Sequence, residues 1–205
     1  MSQWAKAVSK KKTNNHSAAT GAKIELRRKI MTCFGENARV FDAFAGSGMM
    51  YRHVWKSAAH YVGCDLRWYM DDRTAYAADN RRVLRCLDLA QFNVFDFDAY
   101  GSPWEQCCIL ARRRRVERGE LIGVLLTDGS GLNMKMGGMP LALKEICGFE
   151  GKISGASGQQ GEIINMAISG LAEKMRCEVL ERWQAKGKTG AGVIYTALVL
   201  QGIGS

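Results

Sequence analysis

The sequence predicts an α/β protein whose doubly wound, mostly parallel sheet of seven strands ends in an antiparallel hairpin. Short apolar runs alternate with helix-like segments along most of the chain, which is the order expected for parallel strands joined by helices. The C-terminal segment instead holds two strand-like runs, CEVLERW and VIYTALVLQG, around a glycine-rich turn, which is typical of a hairpin.

The predicted elements follow one another along 205 residues. Residues 1–20 are polar and basic and predict a flexible arm, and the remainder predicts one domain over 21–205. Strands before the hairpin are predicted at 40–45, 61–65, 83–86, 93–98 and 121–127. Helices are predicted at 21–34, 49–57, 66–81, from Pro103 to about 118, at 141–147 and at 162–175. The stretch 128–161, rich in glycine and methionine, predicts mainly loops, and the glycines of residues 131–140 indicate a mobile lid or substrate loop.

Composition excludes several classes of protein. The hydrophobic fraction of 47% and the charged fraction of 24% are globular values, and no apolar run is long enough to span a membrane. The seven cysteines form no CxxC pair, and the three histidines lack the spacing of metal ligands. We therefore expect reduced thiols, no metal site and a cytoplasmic location.

The net charge of +9, with a pI of about 9.3, favours a polyanionic partner such as nucleic acid. Three lysines at positions 10–12 and a block of four arginines at 112–115 hold part of this charge. We expect Arg112 and Arg115 to contact a nucleic-acid backbone, although a solvated helix surface explains the block equally well.

The segment VFDAFAGSG, residues 40–48, predicts a strand that runs into a glycine turn, where a backbone can approach a ligand closely. The third glycine of a dinucleotide-binding GxGxxG motif is missing. Asp42 would repel a pyrophosphate but could bind an ammonium group, so S-adenosylmethionine fits better than NAD. The candidate cofactor-binding residues here are Asp42, Ala43, Phe44, Gly46 and Gly48. A tight turn without a ligand would explain the segment as well.

Two further acids follow predicted strands. Asp65 ends the second strand and could accept both ribose hydroxyls of an adenosyl group, or it could cap the next helix. Asp88 follows the predicted third strand and could accept the adenine amino group while Leu89 packs on the ring. A solvated turn explains Asp88 equally well.

The segment DFDAYGSP, residues 96–103, combines an acid, an aromatic ring and a tight turn after an apolar strand. Such a set can hold a flat base that carries an exocyclic amine. Asp98 would accept the amine N–H bonds, and Tyr100 would stack on the base. Gly101 and Ser102 would shape the turn, and Trp104 could stack as well or belong to the core.

These motifs resemble those of class I S-adenosylmethionine-dependent methyltransferases. NVFDFDAYGSP followed by GVLLTDGSG is similar to the tRNA (guanine-N2)-dimethyltransferases and, more loosely, to the adenine-N6 amino-methyltransferases. The resemblance implies a Rossmann-like fold, S-adenosylmethionine as cofactor, and Asp98 and Tyr100 as the residues that hold the target base. Ala99 stands where both families have proline, which leaves the loop less stiff.

The segment TGAKI at residues 20–24 resembles the segment before the first strand of Dam-type DNA adenine methyltransferases. That resemblance implies that Lys23 neutralises the cofactor carboxylate, whereas a solvated helix lysine is the simpler interpretation. RNA and DNA substrates both stay open, with RNA favoured. Methylation of a protein or small molecule is a competing function, and so is nucleic-acid binding by a catalytically inactive module. So small an enzyme would need a simple target, a partner subunit or second copy of itself (a homodimer), or a substrate loop such as 131–161.

Overall fold

The computed structural model describes residues 17–149, 156–187 and 192–204. They contain seven strands, β1 to β7, at Arg39–Asp42, His60–Asp65, Ala75–Ala77, Val94–Phe97, Leu121–Asp128, Cys177–Lys186 and Ile194–Gly202. The strands form one sheet in the order β3-β2-β1-β4-β5-β7-β6. The first five are parallel, and β7 pairs antiparallel with both β5 and β6. The predicted fold class is confirmed.

Seven α-helices, α1 to α7, connect the strands within the described residues. They are Ser17–Phe34, Met49–His53, Asn80–Cys86, Trp104–Arg113, Gly131–Lys135, Leu141–Cys147 and Gln160–Lys174. Successive side chains of a strand point to opposite faces of the sheet and enter two separate buried layers. Val94 packs with α1 on one face, and Phe95 packs with the helices on the other. Both faces of the sheet are therefore covered, as a parallel sheet requires. No helix in the described ranges is long and apolar enough to cross a membrane.

Helix α1 packs on the sheet through one apolar stripe. Leu26, Ile30 and Phe34 recur every fourth residue and are buried. The helix approaches β5 at Gly123, where an added Cβ would lie 3.1 Å from side-chain atoms of both Ile30 and Phe34. Helix α1 begins at Ser17, so the predicted arm is wrong for residues 17–20, and residues 1–16 lie outside the described part.

The prediction for residues 66–86 is wrong in two respects. The third strand is Ala75–Ala77, not 83–86, and no helix covers 66–81. Asp79 instead caps α3 by accepting a hydrogen bond from the Arg81 backbone N–H, so the following residues are helical. Val83 and Leu84 are buried because they form the apolar stripe of this helix.

Two smaller differences concern helix ends. Helix α4 ends at Arg113 rather than near 118, because the backbone of Arg114 is extended, with φ −100° and ψ 102°. The Arg114 side chain pairs with Glu120, just before β5. Helix α5 lies within the stretch predicted as loop. Residues 150–155 of that stretch, and residues 188–191 of the predicted glycine-rich turn, lie outside the described residues.

Candidate functional site at the carboxyl edge of the sheet

Four acids stand where β1, β2, β4 and β5 end, at the edge of the sheet that we call the carboxyl edge. They are Asp42, Asp65, Asp98 and Asp128. The chain order reverses between β1 and β4, which are neighbours in the sheet. In open α/β sheets, ligands bind outside the carboxyl ends of the strands at such a switch point. The strand order therefore predicts a ligand site at the loops after β1, β2, β3 and β4.

The turn after β1 requires its two glycines. Gly46 and Gly48 have φ angles of 46° and 79°, in the left-handed region that favours glycine. The Gly46 N–H donates to the Asp65 carboxylate at 3.0 Å, which ties this turn to the end of β2. Arg73 covers the turn by donating to the carbonyls of Ala45 and Gly46, and a Cβ on Gly48 would lie 2.7 Å from its guanidinium carbon.

Asp42 is buried and accepts hydrogen bonds from residues of the turn after β1 and of β2. It is 2% exposed, and its two oxygens lie 3.1 Å from the Phe44 N–H and 3.1 Å from the Tyr61 hydroxyl. Burial, followed by the negative charge of Asp96, raises the pKa of the Asp42 carboxyl to about 8. In the structure the carboxyl is therefore buried and hydrogen-bonded to the protein itself, and it is not exposed to an ammonium group as the sequence predicted.

Asp98 belongs to a network of charges that links α1 to β4. The Arg27 guanidinium donates two hydrogen bonds to Asp96, each of 2.7 Å, and also lies 3.4 Å from Asp98 Oδ2. The Lys23 ammonium lies 2.6 Å from Asp98 Oδ1. Lys23 and Arg27 are four residues apart and so share one face of α1. The sequence predicted that Lys23 would neutralise the cofactor carboxylate or be a solvated helix lysine. In the structure, Lys23 forms an ion pair with Asp98.

The two cations keep Asp98 ionised. Burial alone would raise the pKa of the Asp98 carboxyl, but the charges of Arg27 and Lys23 outweigh burial and lower it. The neighbouring Asp96 shows the opposite direction, since burial is the larger effect and raises its pKa. Trp55 donates a further hydrogen bond of 2.9 Å to Asp96. The lowered pKa of Asp98 favours its anionic form, which is a good hydrogen-bond acceptor.

The loop after Asp98 places an aromatic ring in solvent beside this carboxylate. Tyr100 is 71% exposed, whereas Ala99 is buried. Gly101 has a φ of 110°, and its carbonyl accepts a hydrogen bond of 2.5 Å from the Gly129 N–H after β5. The Ser102 hydroxyl is buried and has no hydrogen-bond partner among the described residues. The loop therefore offers one stacking surface and one unused polar group.

Trp104 does not belong to the exposed part of this loop. Its side chain is fully buried in the first turn of α4, and its indole N–H donates to Asp128. The prediction that Trp104 stacks on a base is wrong, because its ring is fully buried and its N–H is bonded to Asp128. Asp128 also accepts hydrogen bonds from the Ser130 backbone N–H and hydroxyl, which closes the turn after β5.

Asp88 and Leu89 lie at the opposite edge of the sheet. Asp88 caps the short turn Leu89–Gln91 by accepting from the Ala90 N–H, and this turn precedes the start of β4. The Gln91 carbonyl accepts from Arg39 at the start of β1, which fixes the turn at the amino ends of the strands. The prediction of an adenine contact at Asp88 and Leu89 is therefore wrong, because it followed from placing a strand at 83–86.

The residues that do follow the third strand are Ala78, Asp79 and Asn80. Asn80 donates to the Ala43 carbonyl at 2.8 Å and accepts from the Gln106 side chain at 2.9 Å. The other side-chain atom of Gln106, Oε1, is buried without a hydrogen-bond partner in the described ranges. Sequence reasoning missed this pair; the helix-capping pattern of Asp79 was the available signal.

The arginine block also lies away from the carboxyl edge, because α4 runs back toward the start of β5. Arg112 pairs with Glu145, and Arg113 donates to the Leu87 carbonyl at 3.4 Å. Arg114 is buried against Glu120, while Arg115 is exposed. Arg112 and Arg115 therefore lie away from the carboxyl edge, and their expected contact with a nucleic-acid backbone stays a prediction.

The residues at the carboxyl edge fit S-adenosylmethionine. Asp65 is partly exposed and keeps acceptor capacity for ribose hydroxyls, although it also accepts from the backbone N–H groups of Gly46 and Arg67. The partnerless Gln106 Oε1 is a buried acceptor that suits an adenine amino group. Among the described residues, no cluster of His, Cys, Asp and Glu could hold a metal ion.

Solved structures with the same fold include several methyltransferases. No family model and no curated protein matches the sequence. Trm1 from Pyrococcus horikoshii, solved with S-adenosylmethionine, is 14% identical with a TM-score of 0.59; the match covers 91% of this chain and 56% of Trm1. A tRNA m1G37 methyltransferase from M. jannaschii is 17% identical with a TM-score of 0.50, over 85% of this chain and 47% of that enzyme.

The same fold also occurs in a putative hemolysin from Lactococcus lactis, which is 15% identical with a TM-score of 0.58; the match covers 92% of this chain and 89% of that protein. Since the present chain spans about half the length of Trm1 and of the m1G37 methyltransferase, the likeness concerns this part of those enzymes. The chain has the Rossmann-like, seven-stranded fold that these methyltransferases share.

Proposed function

We propose that the protein is an S-adenosylmethionine-dependent methyltransferase that acts on an exocyclic amine of a nucleic-acid base, with guanine N2 of tRNA as the favoured target. The observation that carries the proposal is the loop after β4, which holds Asp98, whose pKa is lowered, and two residues later the exposed side chain of Tyr100. The loop lies at the switch point of the sheet, beside the glycine turn after β1. The likeness to Trm1 and to a tRNA methyltransferase supports a cofactor and a substrate of these classes.

The cofactor would be held by residues of three neighbouring loops. Asp65 would accept the ribose hydroxyls, and Gly46 and Gly48 would let the backbone approach closely. Asn80 and Gln106 would face the adenine, with Phe44 as its apolar neighbour. When bound, S-adenosylmethionine supplies an electrophilic methyl group, so the protein needs no covalent nucleophile of its own.

The role of Asp98 in this reaction is to hold the amine rather than to remove its proton. A carboxylate with a lowered pKa is a good hydrogen-bond acceptor but a weak base. Asp98 would fix the amine by its N–H bonds, and Tyr100 would stack on the base, a contact worth about 1–3 kcal/mol. Positioning of this kind supplies a large part of the rate of such a transfer. The proton released by the methylated nitrogen would pass to solvent.

One observation favours a second candidate, a nucleic-acid-binding module without catalysis. Lys23 and Arg27 both contact the carboxylate of Asp98, and Ala99 replaces the proline that stiffens the loop in the families that the motif resembles. A binding module would bind the cofactor and nucleic acid without turnover. Methylation of DNA adenine, or of a protein or small molecule, would use the same cofactor residues.

The test measures transfer of a radiolabelled methyl group from S-adenosylmethionine to separate pools of tRNA, ribosomal RNA, single-stranded DNA and unmethylated duplex DNA. We expect label in tRNA, and a loss of about a hundredfold in Asp98→Ala, because the amine is no longer positioned. Asp88→Ala is the matched control, since Asp88 lies at the opposite edge. Label in no pool, despite calorimetric binding of the cofactor, would contradict a nucleic-acid methyltransferase.

A further inference from the structure

Both oxygens of the Asp98 carboxylate face donors of the protein itself. The Lys23 ammonium lies 2.6 Å from Oδ1, which is buried, and Arg27 lies 3.4 Å from Oδ2. An amine of a substrate would therefore reach Oδ1 only if the Lys23 ammonium moves.

Lys23 is the donor that can move. The Arg27 side chain is only 3% exposed and is held by its two hydrogen bonds to Asp96. The Lys23 side chain is 20% exposed and has a flexible stem with a single charged end. Its ammonium also lies 5.6 Å from the centre of the Tyr195 ring, an aromatic face that attracts a cation. Lys23 could leave Asp98 without breaking the attachment of α1 to the sheet.

We propose that Lys23 is a resident partner of Asp98 that occupies the position of the target amine and that the substrate has to displace. The inference rests on the proposed function, because it assigns to Asp98 the amine of a base. It makes Lys23 a specificity-determining residue: only a group that donates hydrogen bonds to Asp98 replaces the ammonium, whereas a base that presents a carbonyl leaves Lys23 in place.

The direction of an affinity change distinguishes this role from ordinary electrostatics. Loss of a lysine normally weakens the binding of nucleic acid, because a positive charge is removed. If Lys23 competes with the substrate, its removal strengthens binding instead, because the competent state becomes fully populated. Lys29→Met is the matched control, since Lys29 lies on the same helix but contacts Trp183 rather than Asp98.

The experiment measures the Kd of tRNA, with S-adenosylhomocysteine at saturation, for the wild-type protein and for the two methionine variants. We expect binding by Lys23→Met to be on the order of tenfold tighter, because the ion pair with Asp98 no longer competes with the substrate. Lys29→Met is expected to bind equally or more weakly. In an Asp98→Ala background, Lys23→Met should give no further gain, because the competition is already absent. Equal or weaker binding by Lys23→Met would overturn the inference.

A second readout does not depend on any substrate. Brief acetylation of lysines, followed by mass spectrometry, reports how far each amine is held as a paired ammonium. We expect Lys23 to react several-fold more slowly in the wild-type protein than in Asp98→Asn, with Lys29 unchanged. If no nucleic-acid pool binds or accepts methyl groups, the proposed function fails. The labelling still tests the contact between Lys23 and Asp98 independently. Equal labelling of Lys23 in both proteins would overturn it.

Discussion

Three acids lie near the guanidinium of Arg27: Asp42 and Asp96, which are buried, and Asp98, which is partly exposed. Arg27 is fully buried, and its hydrogen bonds to Asp96 compensate a charge that would otherwise be costly in the core. Asp42 does not share these hydrogen bonds, and its carboxyl is the one whose pKa is raised to about 8. The acids of one small region therefore titrate in different pH ranges, because each has different partners.

The raised pKa of Asp42 predicts a pH dependence of stability. The unfolded pKa is about 3.9. Between this value and about 8 the folded protein binds the extra proton, so the free energy of unfolding falls as the pH rises. Asp42→Asn keeps an acceptor for the Phe44 N–H and removes the titration. We expect urea unfolding between pH 5 and 7 to show a slope up to about 1.4 kcal/mol per pH unit smaller in magnitude for Asp42→Asn.

The matched control for this titration is Asp88→Asn, which changes an exposed acid at the other edge of the sheet. Its stability profile should follow that of the wild-type protein. The groups that face Asp42 are Asp96, Asp98, Arg27 and Tyr61, and all of them remain in Asp42→Asn. An unchanged slope in Asp42→Asn would mean that Asp42 is ionised in the folded protein.

At the scale of elements, the crossing of α6 and α7 depends on one glycine. An added Cβ at Gly170 would lie 1.8 Å from the carbonyl oxygen of Ile146, so the two backbones approach as closely as a glycine permits. Ile146 and Leu171 are buried beside this contact. The packing of the second helical layer is therefore fixed by backbone contact and not only by its apolar side chains.

Gly170→Ala is expected to lower the free energy of unfolding by about 1–3 kcal/mol, because the helices have to move apart. Gly161→Ala provides the matched control: the same helix holds Gly161 in an open position, with no atom within 4 Å of an added Cβ. There, alanine should raise stability by about 0.5–1 kcal/mol through its helix propensity. Chemical denaturation of both variants checks the pair, and a destabilised Gly161→Ala or a neutral Gly170→Ala would contradict this account.

The sequence predicts elements well where a local pattern is strong. The spacing of Leu26 and Ile30 indicates α1, and the uninterrupted apolar run in β5 indicates a buried strand. It fails at Ala75–Ala77, whose three residues are too short for a pattern, so the apolar pair Val83 and Leu84 wrongly predicts the third strand. That single error also displaces the predicted adenine contact from the region of Asn80 to Asp88.

At the scale of the whole molecule, the site depends on contacts that no local pattern reveals. The glycine turn and the loop at Asp98 could be predicted because each is a contiguous motif that follows a strand. The pairing of Lys23 with Asp98 joins residues from α1 and from the end of β4, which are far apart in the sequence and meet only in the folded protein. Likewise, the burial of Trp104 follows from its hydrogen bond to Asp128 at the end of β5.

The distribution of charge can be tested as well, because two sets of three cations lie in different parts of the sequence. Arg112 and Arg113 are the last residues of α4 and Arg115 follows the helix, so all three lie away from the carboxyl edge. Lys10, Lys11 and Lys12 precede α1, whose residue Lys23 contacts the site. Replacing either set by glutamine lowers the net charge equally. Arg114 is left in place because it is buried against Glu120.

If nucleic acid binds over the carboxyl edge, only the lysine set should take part in counterion release. We expect the lysine triple variant to lower the slope of log K against log salt concentration by about 2–3 in magnitude, since each phosphate contact contributes about 0.7–0.9. The arginine triple variant should keep the wild-type slope. Measurement of tRNA affinity over a range of salt concentrations distinguishes the two. An equal fall in both variants would mean that the charge acts only through its total, and a fall in the arginine variant alone would place the nucleic acid at the opposite edge of the sheet.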